Sequence, residues 1–281
     1  PAEFRRRNLI ADDAYPYTFP SGVKFEKLSH HQCLDTLMAL MDYKGLRAAQ
    51  ATLRAQGIYR GIGFAALIEL TNPSAAFYGV GGARIASQDG CTIRLDPSGA
   101  ICVSVSVGEQ GQGNDGIYRQ ISADGVGVDL EKVRLIMSDT DVTPYGGGTW
   151  ASRGAGVGGE AVLLASQALR ANILKLAAVI LKRSEAELTV RRGHVVDAGT
   201  LQSVLDFAEL GRIAYFRSDL LPNDFTPELM VTRHYAQRDY PFIFTNGVQA
   251  SYVEVDPDTG FVKLLKHWAV EDCGRVINPQ L

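Results

Sequence analysis

The sequence predicts an α+β fold, with mixed and antiparallel sheets and packed helices. Three observations carry this. Hairpins and helical stretches are interspersed along the chain rather than strictly alternating, which disfavours a doubly wound parallel sheet. Ile101, Val103, Val105 and Val107 alternate with Cys102, Ser104 and Ser106, the period of a strand with two unlike faces. Residues 161–181 form a long apolar stretch at helical spacing, directly behind a glycine-rich segment.

Taken in order, residues 1–29 read as an irregular arm, broken by Pro16, Pro20 and Gly22. Arg5, Arg6 and Arg7 read as solvated or paired with acids. Residues 30–56 predict one helix, with Leu34, Leu37, Met38 and Met41 facing a core and His30 and His31 on the surface. Residues 59–70 have little polarity and predict a buried strand. A turn-rich loop follows at 72–82. Residues 91–95 and 100–107 flank Asp96-Pro97-Ser98-Gly99 and predict a hairpin. A helix near 117–125, a short strand at 133–137 and the long helix follow. Further hairpins are predicted at 188–196, turning at Arg192-Gly193, and at 248–270. Between them, residues 201–210 read as a short helix and 220–227 as a loop.

Composition sets limits. The chain has 281 residues, 46% of them apolar and 21% charged, enough for one large or two modest domains. The division read from the sequence is an arm and helix at 1–57, linking from a preceding domain, and an α+β domain at 58–281. A net charge of −3 argues against a nucleic-acid partner. Four cysteines without a C-x-x-C spacing disfavour zinc, iron–sulfur or a disulfide framework, and make a reducing cytoplasmic setting the default. Gln167, Arg170, Asn172 and Lys175 interrupt the longest apolar run, so no membrane span is expected.

The chemistry concentrates in two glycine-rich loops. The first, at 108–116, holds Gly111, Gly113 and Gly116. The second, at 146–159, holds Gly146, Gly147, Gly148, Gly154, Gly156, Gly158 and Gly159 and runs into the long helix. Glycine loses more conformational entropy on folding than any other residue, so this density calls for a close backbone approach or a turn that a Cβ would block. Backbone N–H groups feeding a helix N-terminus suit a phosphate-bearing cofactor. Thr149, Ser152 and Arg153 add hydroxyl and guanidinium donors. Gly111-x-Gly113-x-x-Gly116 also matches the dinucleotide fingerprint, with Asp139 downstream. A Rossmann NAD or FAD oxidoreductase is therefore an alternative, and a non-catalytic cofactor-binding or assembly module is another. Against the first, the strand entering the loop carries serines on one face, and a Rossmann first strand is normally buried on both.

Together, GQG at residues 111–113, SDTD at 138–141, GGGTWASR at 146–153 and GGEAV at 158–162 resemble the molybdenum hydroxylase family. These are the large subunits of xanthine dehydrogenase, aldehyde oxidase and aerobic carbon monoxide dehydrogenase. Residues 3–10 and 252–279 resemble the flanking segments of that family, so the likeness covers nearly the whole chain. It implies a molybdopterin-binding α+β domain and a molybdopterin cytosine dinucleotide carrying molybdenum. It also implies 2Fe-2S and FAD subunits as partners, the remainder of the large subunit, and a small-molecule substrate hydroxylated with oxygen from water. Residue by residue, Gly111, Gln112 and Gly113 fall on the cofactor-contacting loop. Thr149, Ala151, Ser152 and Arg153 fall on the stretch that holds pterin and phosphates, and Asp139, Thr140 and Asp141 on the acidic turn near the nucleotide. The family usually has Thr where this chain has Gly116. By the same resemblance the catalytic glutamate lies beyond the C-terminal end of this chain and another metal-side loop before its start. Glu160 is therefore read as a helix-terminus charge rather than the base.

Overall fold

The computed structural model describes residues 1–77, 86–238 and 243–280. In chain order the elements are helix α1 (Ala2–Asn8), strands β1 (Tyr17–Thr18) and β2 (Lys24–Phe25), helices α2 (His30–Leu40) and α3 (Tyr43–Ala55), and strand β3 (Tyr59–Thr71). Then come β4 (Gln88–Leu95), β5 (Ile101–Val105), α4 (Asn114–Val126), β6 (Val133–Met137), α5 (Gly159–Leu181), β7 (Leu188–Arg191), β8 (His194–Asp197) and β9 (Ser203–Asp206). The chain continues with α6 (Phe207–Phe216), β10 (Met230–Ala236), β11 (Ile243–Val255) and β12 (Val262–Asp272). The loop expected at 72–82 lies partly outside the described residues. The α+β class holds: the sheets are antiparallel or mixed.

The chain divides into two compact units, and the first is interrupted in sequence: it takes Pro1–Leu70 and Phe244–Val276. The arm and helices of residues 1–57 thus share a unit with strands from both later segments. Its sheet runs β12–β11–β3, and its core gathers Leu34, Leu37, Met41, Phe64, Val248, Ala250, Tyr252 and Trp268. Three expectations change here. The helix expected over 30–56 is two, because Asp42 adopts the left-handed conformation (φ 48°) and its carboxylate accepts the Gly45 N–H at 3.2 Å, capping α3. Strand β3, expected buried, turns only Phe64 and Thr71 fully inward. His30, expected on the surface, is buried with its Nε2 2.7 Å from the Leu67 carbonyl oxygen. The arm opens with α1 rather than irregular chain, and its arginines are engaged: Arg6 with Asp35, Arg7 with Glu3 at 2.7 Å, and Arg5 with the Phe64 carbonyl.

The second unit spans Thr71–Ile243 with Ile277–Leu281. Its main sheet runs β10–β4–β5–β6. The β10/β4 and β4/β5 pairs are antiparallel, and β5/β6 is parallel. Every residue of β5 is buried, including Cys102 and Ser104, so the face expected to be polar is covered too; Ser104 Oγ donates to the Val142 carbonyl at 3.2 Å. Helices α4 and α5 pack on each other and on this sheet. By length and composition, the helical stretch Gly154–Leu181 is apolar enough to cross a membrane. Here Ala161, Val162, Ala165, Leu169, Ile173, Leu176 and Ala177 are instead buried in the main core with Ile93, Val103, Val105 and Val231. Each fully buried Leu or Ile contributes about 1.5–3 kcal/mol. A smaller sheet, β7–β8–β9, completes the unit. Residues 201–210, expected as helix, are strand through Asp206, whose carboxylate accepts the Glu209 N–H at 2.7 Å and starts α6. Strand β10 has no local sequence signal: Met230, Thr232, Arg233 and His234 are all exposed and only Val231 is buried.

Candidate functional site

The site is a consequence of strand direction. Because β5 and β6 are parallel, with Val105 opposite Met137, the loop after β5 and the turn after β6 leave the sheet at the same edge. In parallel sheets that carboxyl edge is where ligands gather. Strand β4 runs the other way, so its first residues, Gln88 and Asp89, arrive at that edge too. The 108–116 and 146–159 loops therefore meet. Thr149 Oγ1 donates to the Gly108 carbonyl at 2.5 Å, Gln110 Nε2 to the Thr149 carbonyl at 3.3 Å, and Tyr118 Oη on α4 to the Gly154 carbonyl at 2.9 Å. Burial, with the carboxylates of Asp89 and Glu109 nearby, pushes the Tyr118 phenol far up, so it remains a donor.

The second loop wraps a buried ion pair. Arg153 and Asp89 have no side-chain exposure; Nη2 and Nε of Arg153 lie 2.7 and 2.9 Å from Asp89 Oδ2, and Nη1 donates to the Ala86 carbonyl at 2.8 Å. The other carboxylate oxygen, Oδ1, accepts from Ser106 Oγ (2.9 Å), Gly147 N (3.0 Å) and Gly148 N (3.3 Å). Burial pushes the Asp89 carboxyl up, with Arg153, Ser106 and Gly148 pulling against it. The glycines follow from this wrapping. A Cβ on Gly146 would strike Ser106 and Asp89, and one on Gly147 would strike Arg153 and the Ala86 carbonyl. Arg153, expected as a donor to a ligand, is thus turned inward and shapes the loop. Asp89 was missed: it sits in a strand far from the loop in sequence, and only the fold joins them.

The first loop wraps a carboxylate of its own. Glu109 Oε1 accepts from the backbone N–H groups of Gln110 (3.1 Å), Gly111 (2.6 Å) and Gly113 (3.0 Å), and Oε2 from that of Asp115 (3.1 Å), in the first turn of α4. Desolvation pushes the Glu109 carboxyl up, but the N–H groups of Asp115, Gly113, Gly111 and Gln112 outweigh it and hold it below its ordinary value. Gly111 (φ 99°) and Gly113 (φ 84°) have left-handed backbones and nothing within 4 Å of where a Cβ would be. Here glycine serves conformation, and the space beside it is open. Gln112, between them, is exposed, and its Oε1 accepts the Gln110 N–H at 2.7 Å, so the amide's other end, Nε2, is its donor.

The remaining expected residues lie on the second loop and on the turn after β6. Ala151 (φ 47°) and Ser152 (φ 50°) are successive non-glycine residues in the left-handed region, each strained by about 1–2 kcal/mol. Such strain collects at functional sites. Beyond them, Gly154–Gly158 form a π-helical turn that runs into α5 and opens with N–H groups a helix cannot satisfy itself. Asp139 folds back on its own turn, its Oδ1 accepting the Asp141 N–H at 3.0 Å, while Thr140 and Asp141 are exposed. Ser138, preceding them, is also left-handed (φ 61°) and lies against Gly108. Glu160 is exposed in the first turn of α5. No group of three or more potential metal ligands occurs among the described residues.

Comparisons with known proteins agree on one family. The profile described as molybdopterin cofactor-binding domain matches residues 36–281. The nicotine 6-hydroxylase large subunit of Paenarthrobacter nicotinovorans is 32% identical over 281 residues, 100% of this chain and 34% of its own length. The carbon monoxide dehydrogenase large chain of Hydrogenophaga pseudoflava is 30% identical over 287 residues, 100% of this chain and 34% of its own. The crystal structure of quinoline 2-oxidoreductase from Pseudomonas putida 86 matches with a TM-score of 0.83 at 32% identity, over 100% of this chain and 35% of that one. This chain spans about a third of the length of these relatives. The antiparallel β4/β5 pair that feeds the GQG loop removes the Rossmann alternative, whose sheet is mostly parallel. Two glycine loops meeting at one sheet edge, a strained turn within the second and the matching profile lead to one conclusion: the chain belongs to the molybdenum hydroxylase family, as a molybdopterin cofactor-binding domain of the large subunit.

Proposed function

We propose that this chain cradles a molybdopterin cytosine dinucleotide within the large subunit of a molybdenum-dependent hydroxylase. The observation that carries the reading is that Gly111, Gly113 and Gly148 have no atom within 4 Å of where a Cβ would be, on two loops joined by the Thr149–Gly108 hydrogen bond and carrying the exposed Gln112 and the strained Ala151-Ser152 pair. A flat anionic group would lie against such uncovered backbone. Gln112 would donate from Nε2. Thr149 and Ser152 would offer hydroxyl oxygens and Ala151 its backbone. The N–H groups opening the π-helical turn would take phosphate. Asp139, Thr140 and Asp141 would face the nucleotide. Arg153 serves by fixing the loop. When bound, the molybdenum centre supplies a two-electron oxidant, and water supplies the oxygen.

The rest of the proposal rests on the family resemblance of the sequence. The remainder of the large subunit brings the catalytic glutamate and the substrate loops. An iron–sulfur subunit carrying 2Fe-2S and a subunit carrying FAD take the electrons, in the cytoplasm. The substrate is a small aldehyde, heterocycle or similar carbon centre. The names of two relatives, which act on nicotine and quinoline, favour a nitrogen heterocycle.

The test is the full-length protein in its complex. Molybdenum and acid-released cytidine monophosphate are expected in equal amounts, about one per large subunit. Gly111→Val should abolish both while circular dichroism stays native. Retention of the metal by that variant overturns the loop assignment. A metal-free complex with native loops would support a non-catalytic module instead. Turnover by the 281-residue chain alone would also overturn the reading, because the base lies outside it.

A further inference from the structure

Four backbone N–H groups between residues 110 and 115 go to Glu109, that of Gln110 being shared with Gln112 Oε1. The carboxylate collects Gln110, Gly111 and Gly113 on one oxygen and Asp115 on the other. That ring of donors is the concave arrangement that backbone offers to anions. An external phosphate at this point would have to evict a covalently tethered carboxylate. The two left-handed glycines that flank Gln112 are the ones whose N–H groups Glu109 holds. Their dihedral angles, and so the direction in which Gln112 leaves the loop, depend on it.

We propose that Glu109 is a positioning residue: its carboxylate is a built-in anion around which residues 110–115 fold, presenting the Gln112 amide to the cofactor and closing this loop to phosphate. The first loop then reads the cofactor through one oriented amide. Phosphate recognition is left to the second loop and the helix behind it. The role of Gln112 rests on the proposed function, but the role of Glu109 in ordering the loop does not.

The two can be separated in the full-length protein prepared without cofactor. Amide hydrogen exchange is followed at residues 110–115, with Gly147 and Gly148 as internal controls. In wild type, added inorganic phosphate should leave exchange at 110–115 unchanged. In Glu109→Ala, those amides should exchange roughly tenfold faster while the controls hold. Acetate or phosphate should slow them again by filling the vacated ring. Glu109→Gln keeps one acceptor oxygen and the side-chain shape, so it covers the case in which the alanine variant fails to fold. It should quicken Asp115 more than Gly111 or Gly113. In cofactor-loaded preparations, Glu109→Ala should lose molybdenum several-fold and Glu109→Gln should recover part of it. Unchanged exchange in both variants overturns the ordering role. Faster exchange with full molybdenum retention overturns the link to Gln112. Phosphate protection of the wild-type loop overturns the exclusion of phosphate. A wild-type complex with no molybdenum defeats the proposed function and leaves the exchange result standing.

Discussion

Residues 108–116 fold around a carboxylate carried by their own second residue. Residues 146–159 fold around one delivered from another strand, 58 and 59 positions away from the glycines it holds. Glu109 is half-buried and meets only N–H donors. Asp89 is sealed from solvent and needs Arg153 as a counter-ion. The glycines differ accordingly. In the second loop, Gly146 and Gly147 are small because protein atoms press on them. In the first, Gly111 and Gly113 are glycine because of their φ angles, and they face open space. Glycine density thus has two causes, and only the second leaves room for a ligand.

Removing Asp89 should have the largest effect. Asp89→Ala takes the carboxylate counter-ion from the buried Arg153, and urea unfolding should show a loss of about 3–5 kcal/mol. If Glu109→Ala destabilises the whole unit equally, the contrast between a global and a local carboxylate fails. Next comes Gly147→Ala, where the new methyl meets Arg153 and the Ala86 carbonyl; about 1–3 kcal/mol should be lost in the same experiment. Gly113→Ala meets no atom and strains only its own dihedral angles, so about 1–2 kcal/mol is expected, with molybdenum loss out of proportion to it. Ala151→Gly relieves a left-handed alanine and should change stability by less than about 1 kcal/mol, because glycine's own entropy offsets the gain. Acid should act locally. The Glu109 carboxyl lies below its ordinary 4.5, so its contribution is fully present above that value and is lost as pH falls through the lower folded value. Exchange at 110–115 should therefore stay slow down to the ordinary glutamate range and quicken below it, ahead of the controls. Quickening that begins near neutral pH would contradict the depressed value.

Much of this was legible in the chain. The β4/β5 hairpin, β6 and the long helix announce themselves through local periodicity, and the two loops through glycine. What could not be read depends on partners distant in sequence or on exposure. Asp89 looks like an ordinary polar residue at the start of a strand until the antiparallel pairing brings it to Arg153. Strand β10 has no alternation of its own, because its register comes from β4. The break at Asp42 hides inside a continuous helical pattern, and the apolar run of β3 is mostly uncovered within its own unit. Glu109 gives no local signal of its role, because donors in a glycine loop suggest an outside ligand rather than the neighbouring side chain.

The interruption of the first unit has a consequence for biosynthesis. Strand β3 is made early, but its neighbour β11 begins only at Ile243. By then the ribosome has released all of β4 to β10 and both helices that cover them, a set that can consolidate its own interior meanwhile. The two glycine loops would thus take shape while the earlier-made helices α2 and α3 still await their sheet, and a stalled or nicked chain ending near residue 240 should keep the unit that carries those loops and leave the other as prey for proteases.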